Sequence, residues 1–153
     1  MTTEPDFDRA VAHKFFAADC FNKAWALIDK ADRTADEDQQ MIRLNQASMW
    51  HWTQREDCTD KNMSIGYWQA SRIYALLGDA ENARGYGQLS LEYSEQLAPF
   101  YKAYAHEALA RAEGVAGNSK EVREHLQEAR ALAGEIDDAQ DREVLEDDLK
   151  TIE

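Results

Sequence analysis

Residues 73–83 read Ile-Tyr-Ala-Leu-Leu-Gly-Asp-Ala-Glu-Asn-Ala, and residues 112–122 read Ala-Glu-Gly-Val-Ala-Gly-Asn-Ser-Lys-Glu-Val. In each, a helix-compatible run meets a glycine, and a short polar side chain follows at once. Glycine turns left-handed after a helix without steric cost, and an Asp or Asn next to it can accept the first backbone N–H groups of a new helix. The two corners, Gly78-Asp79 and Gly117-Asn118, lie 39 residues apart. A helix–corner–helix unit that recurs points to an all-α chain.

The same punctuation extends outward. Gly134 closes another apolar-periodic segment, and Thr34 with Glu37, like Asn118 with Glu121, has the spacing of a reciprocal cap. Pro5 and Pro99 read as first-turn prolines, and the seven glycines and two prolines read as falling at helix ends. Apolar residues recur at three and four positions: Tyr67, Ala70, Tyr74, Leu77; Val122, Leu126, Ala129, Ala133; Leu145, Leu149, Ile152. The spacing predicts helices over 5–31 (with a break near Asp19), 35–55, 61–77, 79–97, 99–116, 118–133 and 138–152. Such short connections make consecutive helices antiparallel.

Within 64–133 the pattern becomes more specific. Tyr67, Ala70, Ser71, Tyr74, Gly78 and Ala83 give a large residue, a small pair, an aromatic, a glycine turn and a small residue opening the next helix, with Gly87 and Ser90 as further small positions. His106, Leu109, Ala110, Gly117, Val122, Leu126 and Ala129 match in kind, although Glu113 stands where an aromatic belongs. This resembles the tetratricopeptide (TPR) repeat family, with a spacing longer than that family's usual one. The N-terminal residues Val11, Ala12, Phe15, Ala24, Ile28 and Ala31 fit the pattern without its glycine. The resemblance implies one domain over 1–153, a tetratricopeptide-like α–α superhelix of about seven antiparallel helices, with 135–153 as an acidic capping helix.

In that family the first helix of each unit lines a concave groove that holds peptides. Carried onto this chain, the groove would present Ile65, Trp68, Arg72 and Ala75 from one helix and Tyr104, Glu107, Arg111 and Val115 from the next. Helical geometry agrees: at about 100° per residue, Trp68 and Arg72 point away from the Tyr67, Ala70, Tyr74 stripe. Two guanidinium forks at equivalent places can converge on an acidic group or peptide terminus, beside flat aromatic surface. Against that, Glu107 lies one turn before Arg111 and can pair with it, and Trp68 one turn before Arg72 can stack on it.

A second constellation is Met49-Trp50-His51-Trp52. A helix apolar on more than one side reads first as a core helix. The alternative is a small-molecule pocket, or a minor enzyme, around His51 with Trp50 and Trp52, near Asp57 and Cys58. Catalysis has little else to stand on. No nucleophile–base–orienter set, no His-Glu-x-x-His, no Glu-x-x-His and no glycine-rich phosphate loop is written in the chain, so no cofactor and no metal are expected. His13 and Cys20 are two turns apart, and His125 with Glu121 and Glu128 reads as surface pairing.

Thirty acidic against 17 basic side chains give a formal charge of −13, which disfavours nucleic acid and anionic lipid. Nine carboxylates stand against Arg142 and Lys150 between Glu135 and Glu153. The acidic start has no leader pattern, no apolar run is long enough to span a membrane, and Cys20 and Cys58 are too few for a disulfide framework, so a reducing cytoplasm is expected. The expectation is a non-enzymatic module that binds a protein or peptide, with self-association through exposed Trp50 or Trp68 as a further alternative.

Overall fold

The computed structural model describes residues 3–152, and among them there are seven helices and no strand. They are α1 (Arg9–Ile28), α2 (Ala35–Thr53), α3 (Asp60–Leu76), α4 (Ala80–Ser94), α5 (Pro99–Ala116), α6 (Ser119–Ala133) and α7 (Ala139–Lys150). The chain divides into two compact units, residues 1–58 and 59–153.

Local chemistry explains most boundaries. Glu37 N–H donates to Thr34 Oγ1 at 3.2 Å while Thr34 N–H donates to Glu37 Oε1 at 3.1 Å, which satisfies two otherwise orphaned donors at the start of α2. Asp79 accepts from Asn82 N–H at 3.0 Å to open α4, and Pro99 occupies the first turn of α5. Gly78 and Gly117 adopt φ of +77° and +79°, the left-handed region that a Cβ disfavours.

Several expectations are corrected. Helix α1 is unbroken at Asp19 and begins only at Arg9, capped by Asp8, so Pro5 lies outside it. Gly134 ends α6 with a right-handed φ of −63°. The Asn118 side chain makes no cap and donates instead to Glu113 Oε2 at 2.6 Å. Gly66, Gly85, Gly87 and Gly114 sit inside helices rather than at their ends.

In the first unit α1 packs on α2 through Ala17, Ala24, Ile28, Met41 and Met49. Ser48 Oγ donates to the Ala17 carbonyl at 2.7 Å, so small residues let the two helices meet closely. In the second unit α3 packs on α4 and α5, α4 on α5, α5 on α6 and α7, and α6 on α7. Ser71 Oγ donates to the Ala83 carbonyl at 2.7 Å, and a Cβ placed on Gly87 would lie 3.0 Å from Leu109 Cδ2. These are the small positions the sequence singled out. The α5–α7 core joins Ala103, Ala110, Leu126, Ala129, Ala133, Leu145 and Leu149. Burying each leucine contributes on the order of 2 kcal/mol.

Candidate functional site

Helical spacing puts Trp68 and Arg72 on one face of α3, and Tyr104, Glu107 and Arg111 on one face of α5, which packs beside it. The five meet around one carboxylate. Glu107 is 1% exposed. It accepts from Trp68 Nε1 at 2.9 Å, from Arg72 Nη1 at 3.4 Å and from Arg111 Nε. A carboxylate taken out of water holds its charge only when donors of this kind replace the lost solvent.

The far side of the group is held by α7. Arg111 Nη2 donates to the Asp148 carbonyl at 3.1 Å and to Thr151 Oγ1 at 2.6 Å, and Tyr104 Oη donates to Asp148 Oδ2 at 2.7 Å. Trp68 meets Tyr104 edge-on at 5.5 Å between ring centroids. Burial, followed by its bond to the Asp148 carboxylate, pushes the Tyr104 hydroxyl well above the usual phenol range. Ile65, one turn before Trp68, is half-buried and has no polar atom with which to join the network.

Arg72 and Arg111 also line an open cleft of about 360 Å³ with Ala75, Leu76, Gly114, Val115, Thr151 and Ile152. Leu76 and Val115 are each 41% exposed there. The lining comes from the last turns of α3 and α5 and from the two residues just beyond α7. The helix ends bring partial negative charge, about half a unit each, to the same place. Together with the buried carboxylate they offset much of the charge of the two guanidinium groups. The open walls of the cleft mix polar and apolar surface in similar measure.

Trp50 meets His51 edge-on, with 4.9 Å between ring centroids. Trp50 is 55% exposed, whereas Trp52 lies under the Arg55 guanidinium, 3.8 Å from its carbon to the ring centroid. Arg55 in turn grips Asp57 with two hydrogen bonds of 2.8 and 2.7 Å. His51 faces His13, with their Nδ1 atoms 2.9 Å apart, and not Asp57. Burial, followed by the charge of His13, pushes the His51 pKa down.

A second imidazole pair went unrecognised in the sequence: His106 on α5 and His125 on α6, Nδ1 to Nδ1 at 3.1 Å. His125 therefore meets another ring, and the reading of it as a partner of Glu121 and Glu128 alone is corrected. Glu113, where an aromatic was expected, is 5% exposed and accepts from Arg84 Nη2 at 3.1 Å and from Asn118. Among the described residues no three His, Cys, Asp or Glu side chains gather as a metal ion would need, and no helix is long and apolar enough to cross a membrane.

Compared with protein-family models, with curated proteins and with solved structures, the chain matches none.

Proposed function

We propose that this chain is a non-enzymatic, tetratricopeptide-like interaction module that binds a protein or peptide on the inner face of α3 and α5. The observation that carries the reading is the cleft beside Glu107. One opening is lined by the last turns of α3 and α5 and by the residues that follow α7, as a stack in which alternate helices run the same way would have it. Its walls place exposed Leu76 and Val115 with Ile152 beside two arginine side chains set in position by a buried carboxylate.

Such a site suits an apolar anchor side chain packed beside the two guanidinium groups. The helix ends offset the arginine charge, so an acidic group is a poorer fit than the two arginines by themselves imply. Selecting a displayed random peptide library on the immobilised protein tests the reading. Peptides with an apolar anchor that bind the native protein and are lost with Leu76→Glu and with Val115→Glu are the expected result. Peptides whose binding ignores both substitutions would overturn it.

Self-association is a second reading, favoured by one observation. Val11, Phe15, Phe16 and Trp50 of the first unit are 63%, 59%, 43% and 55% exposed, a concentration of apolar surface uncommon on a monomer. Trp68 does not contribute, since its indole N–H is held by Glu107. Light scattering of the native chain and of Phe15→Glu separates the cases: a dimer that the substitution splits supports this reading, and a monomer at all concentrations removes it.

A further inference from the structure

His13 of α1 and His51 of α2 hold their Nδ1 atoms 2.9 Å apart, within the first unit and beside its exposed aromatic residues. Resting on the self-association reading above, we propose that this pair is half of a transition-metal site. The same pair of a second copy completes it, so that one divalent ion of the copper(II) or nickel(II) kind joins two chains.

Donor chemistry is the first argument. An unprotonated imidazole nitrogen is a ligand for zinc, copper, nickel and iron. In the metal-free pair one Nδ1 donates and the other accepts. Once the donating ring carries its proton on Nε2 instead, both Nδ1 lone pairs are open to one ion. Distance then selects the geometry. Two nitrogens about 2.0 Å from an ion and 2.9 Å from each other subtend about 90° at it. That is the angle between neighbouring corners of a square plane, the arrangement of copper(II) and nickel(II). A tetrahedral zinc site would hold the nitrogens about 3.3 Å apart.

Incompleteness chooses the occupant. Two nitrogens fill half a square plane, and among the described residues no third His, Cys, Asp or Glu side chain gathers with them. The missing donors come from outside this chain. The surface around the pair favours a protein over water as their source. Exposed Trp50 meets both rings edge-on, with centroids 5.3 Å from His13 and 4.9 Å from His51, and exposed Phe16 lies 5.4 Å from His51. A second copy turned about a two-fold axis through the ion brings two more imidazoles. It also covers these aromatic side chains with its own, because a two-fold contact sets one patch against itself. The His106–His125 pair differs here, since no exposed aromatic side chain stands on α5 or α6.

Copper(II) is the probe, and the native chain is compared in chelator and with one ion per two chains. Light scattering is expected to show a dimer at least about 10-fold tighter with the ion present. Electron paramagnetic resonance is expected to show a tetragonal centre coupled to four nitrogens. His13→Gln and His51→Gln, each checked for native helicity by circular dichroism, are expected to lose the copper effect and to dimerise in chelator as the native chain does. Magnesium is expected to leave the dimer unchanged. A dimer that copper does not tighten, or a tightening that survives both substitutions, would overturn the metal site and leave self-association standing. A centre with only two protein nitrogens on a monomer would overturn the sharing of the ion. A chain that stays monomeric in chelator and with copper would remove both readings.

Discussion

His106 and His125 hold their Nδ1 atoms 3.1 Å apart across the α5–α6 contact. One ring must donate and the other accept, so the pair requires at least one neutral imidazole. Burial, with the neighbouring His125 charge next, pushes the His106 pKa down to about 4, outweighing the opposing pull of Glu128; Lys102 pushes the same way as burial. His125 is also lowered by burial, against the pull of Glu113, Glu124, Glu128 and Glu121.

The unfolded chain therefore takes up these protons at higher pH than the folded one. The stability the pair contributes is fully present above the ordinary imidazole value near 6.5 and is lost as pH falls from there toward 4. Chemical denaturation across that window is expected to show a loss on the order of 2 kcal/mol. His106→Gln should flatten the slope. A native-like slope in that variant would assign the pH dependence to other groups.

Gly85 and Gly87 lie two residues apart on α4, and substituting them should have opposite effects. A Cβ on Gly85 meets nothing within 4 Å, so Gly85→Ala removes backbone freedom from the unfolded chain and should stabilise by about 0.5–1 kcal/mol. On Gly87 it would come within 3.2 Å of Leu109 Cγ and 3.3 Å of Ser71 Oγ, so Gly87→Ala should destabilise by about 1–3 kcal/mol. Urea unfolding of the two single variants measures both signs.

Glu107 and Glu113 occupy comparable places in α5 but differ in what a lost partner would expose. Glu107→Gln leaves two guanidinium groups around a buried neutral amide, and a thermal melt is expected to show a loss of about 3 kcal/mol. Removing Arg84 from Glu113 is milder, because the Arg84 side chain is 43% exposed and Asn118 still donates to the carboxylate. Arg84→Ala should cost about 1 kcal/mol or less.

These pairs show what the sequence could tell and where it stopped. Helix positions were legible because caps, left-handed glycines and apolar spacing act within a few residues. The expected 99–116 coincides with α5, and Gly78 and Gly117 turn as anticipated. The small positions Ser71, Ala83 and Gly87 were legible as well, since close approach leaves few residue types to choose from.

The partners of polar side chains were not legible. Nothing in the spacing of His13 and His51, or of His106 and His125, says that these rings face each other, because that depends on how one helix is rotated against the next. The convergence of Trp68, Arg72 and Arg111 was half visible. Their common face could be read, but Glu107 as its buried centre could be read only as a one-turn partner of Arg111.

Asn118 offers the sharpest separation of a local rule from a tertiary one. Standing just before α6, it has the sequence signature of a cap, and by that rule Asn118→Asp should be neutral or mildly stabilising, since a carboxylate suits a helix N-terminus. Here its Nδ2 donates to Glu113 Oε2 at 2.6 Å and makes no cap. Aspartate at this position replaces a donor with a second carboxylate facing one held well below its usual pKa, chiefly by Arg84. Asn118→Asp should therefore destabilise by about 1–2 kcal/mol near neutral pH. The loss should shrink in a Glu113→Gln background, where an amide can donate to the new carboxylate. A double-mutant cycle in urea that shows no coupling between the two positions would return Asn118 to the role of an ordinary cap.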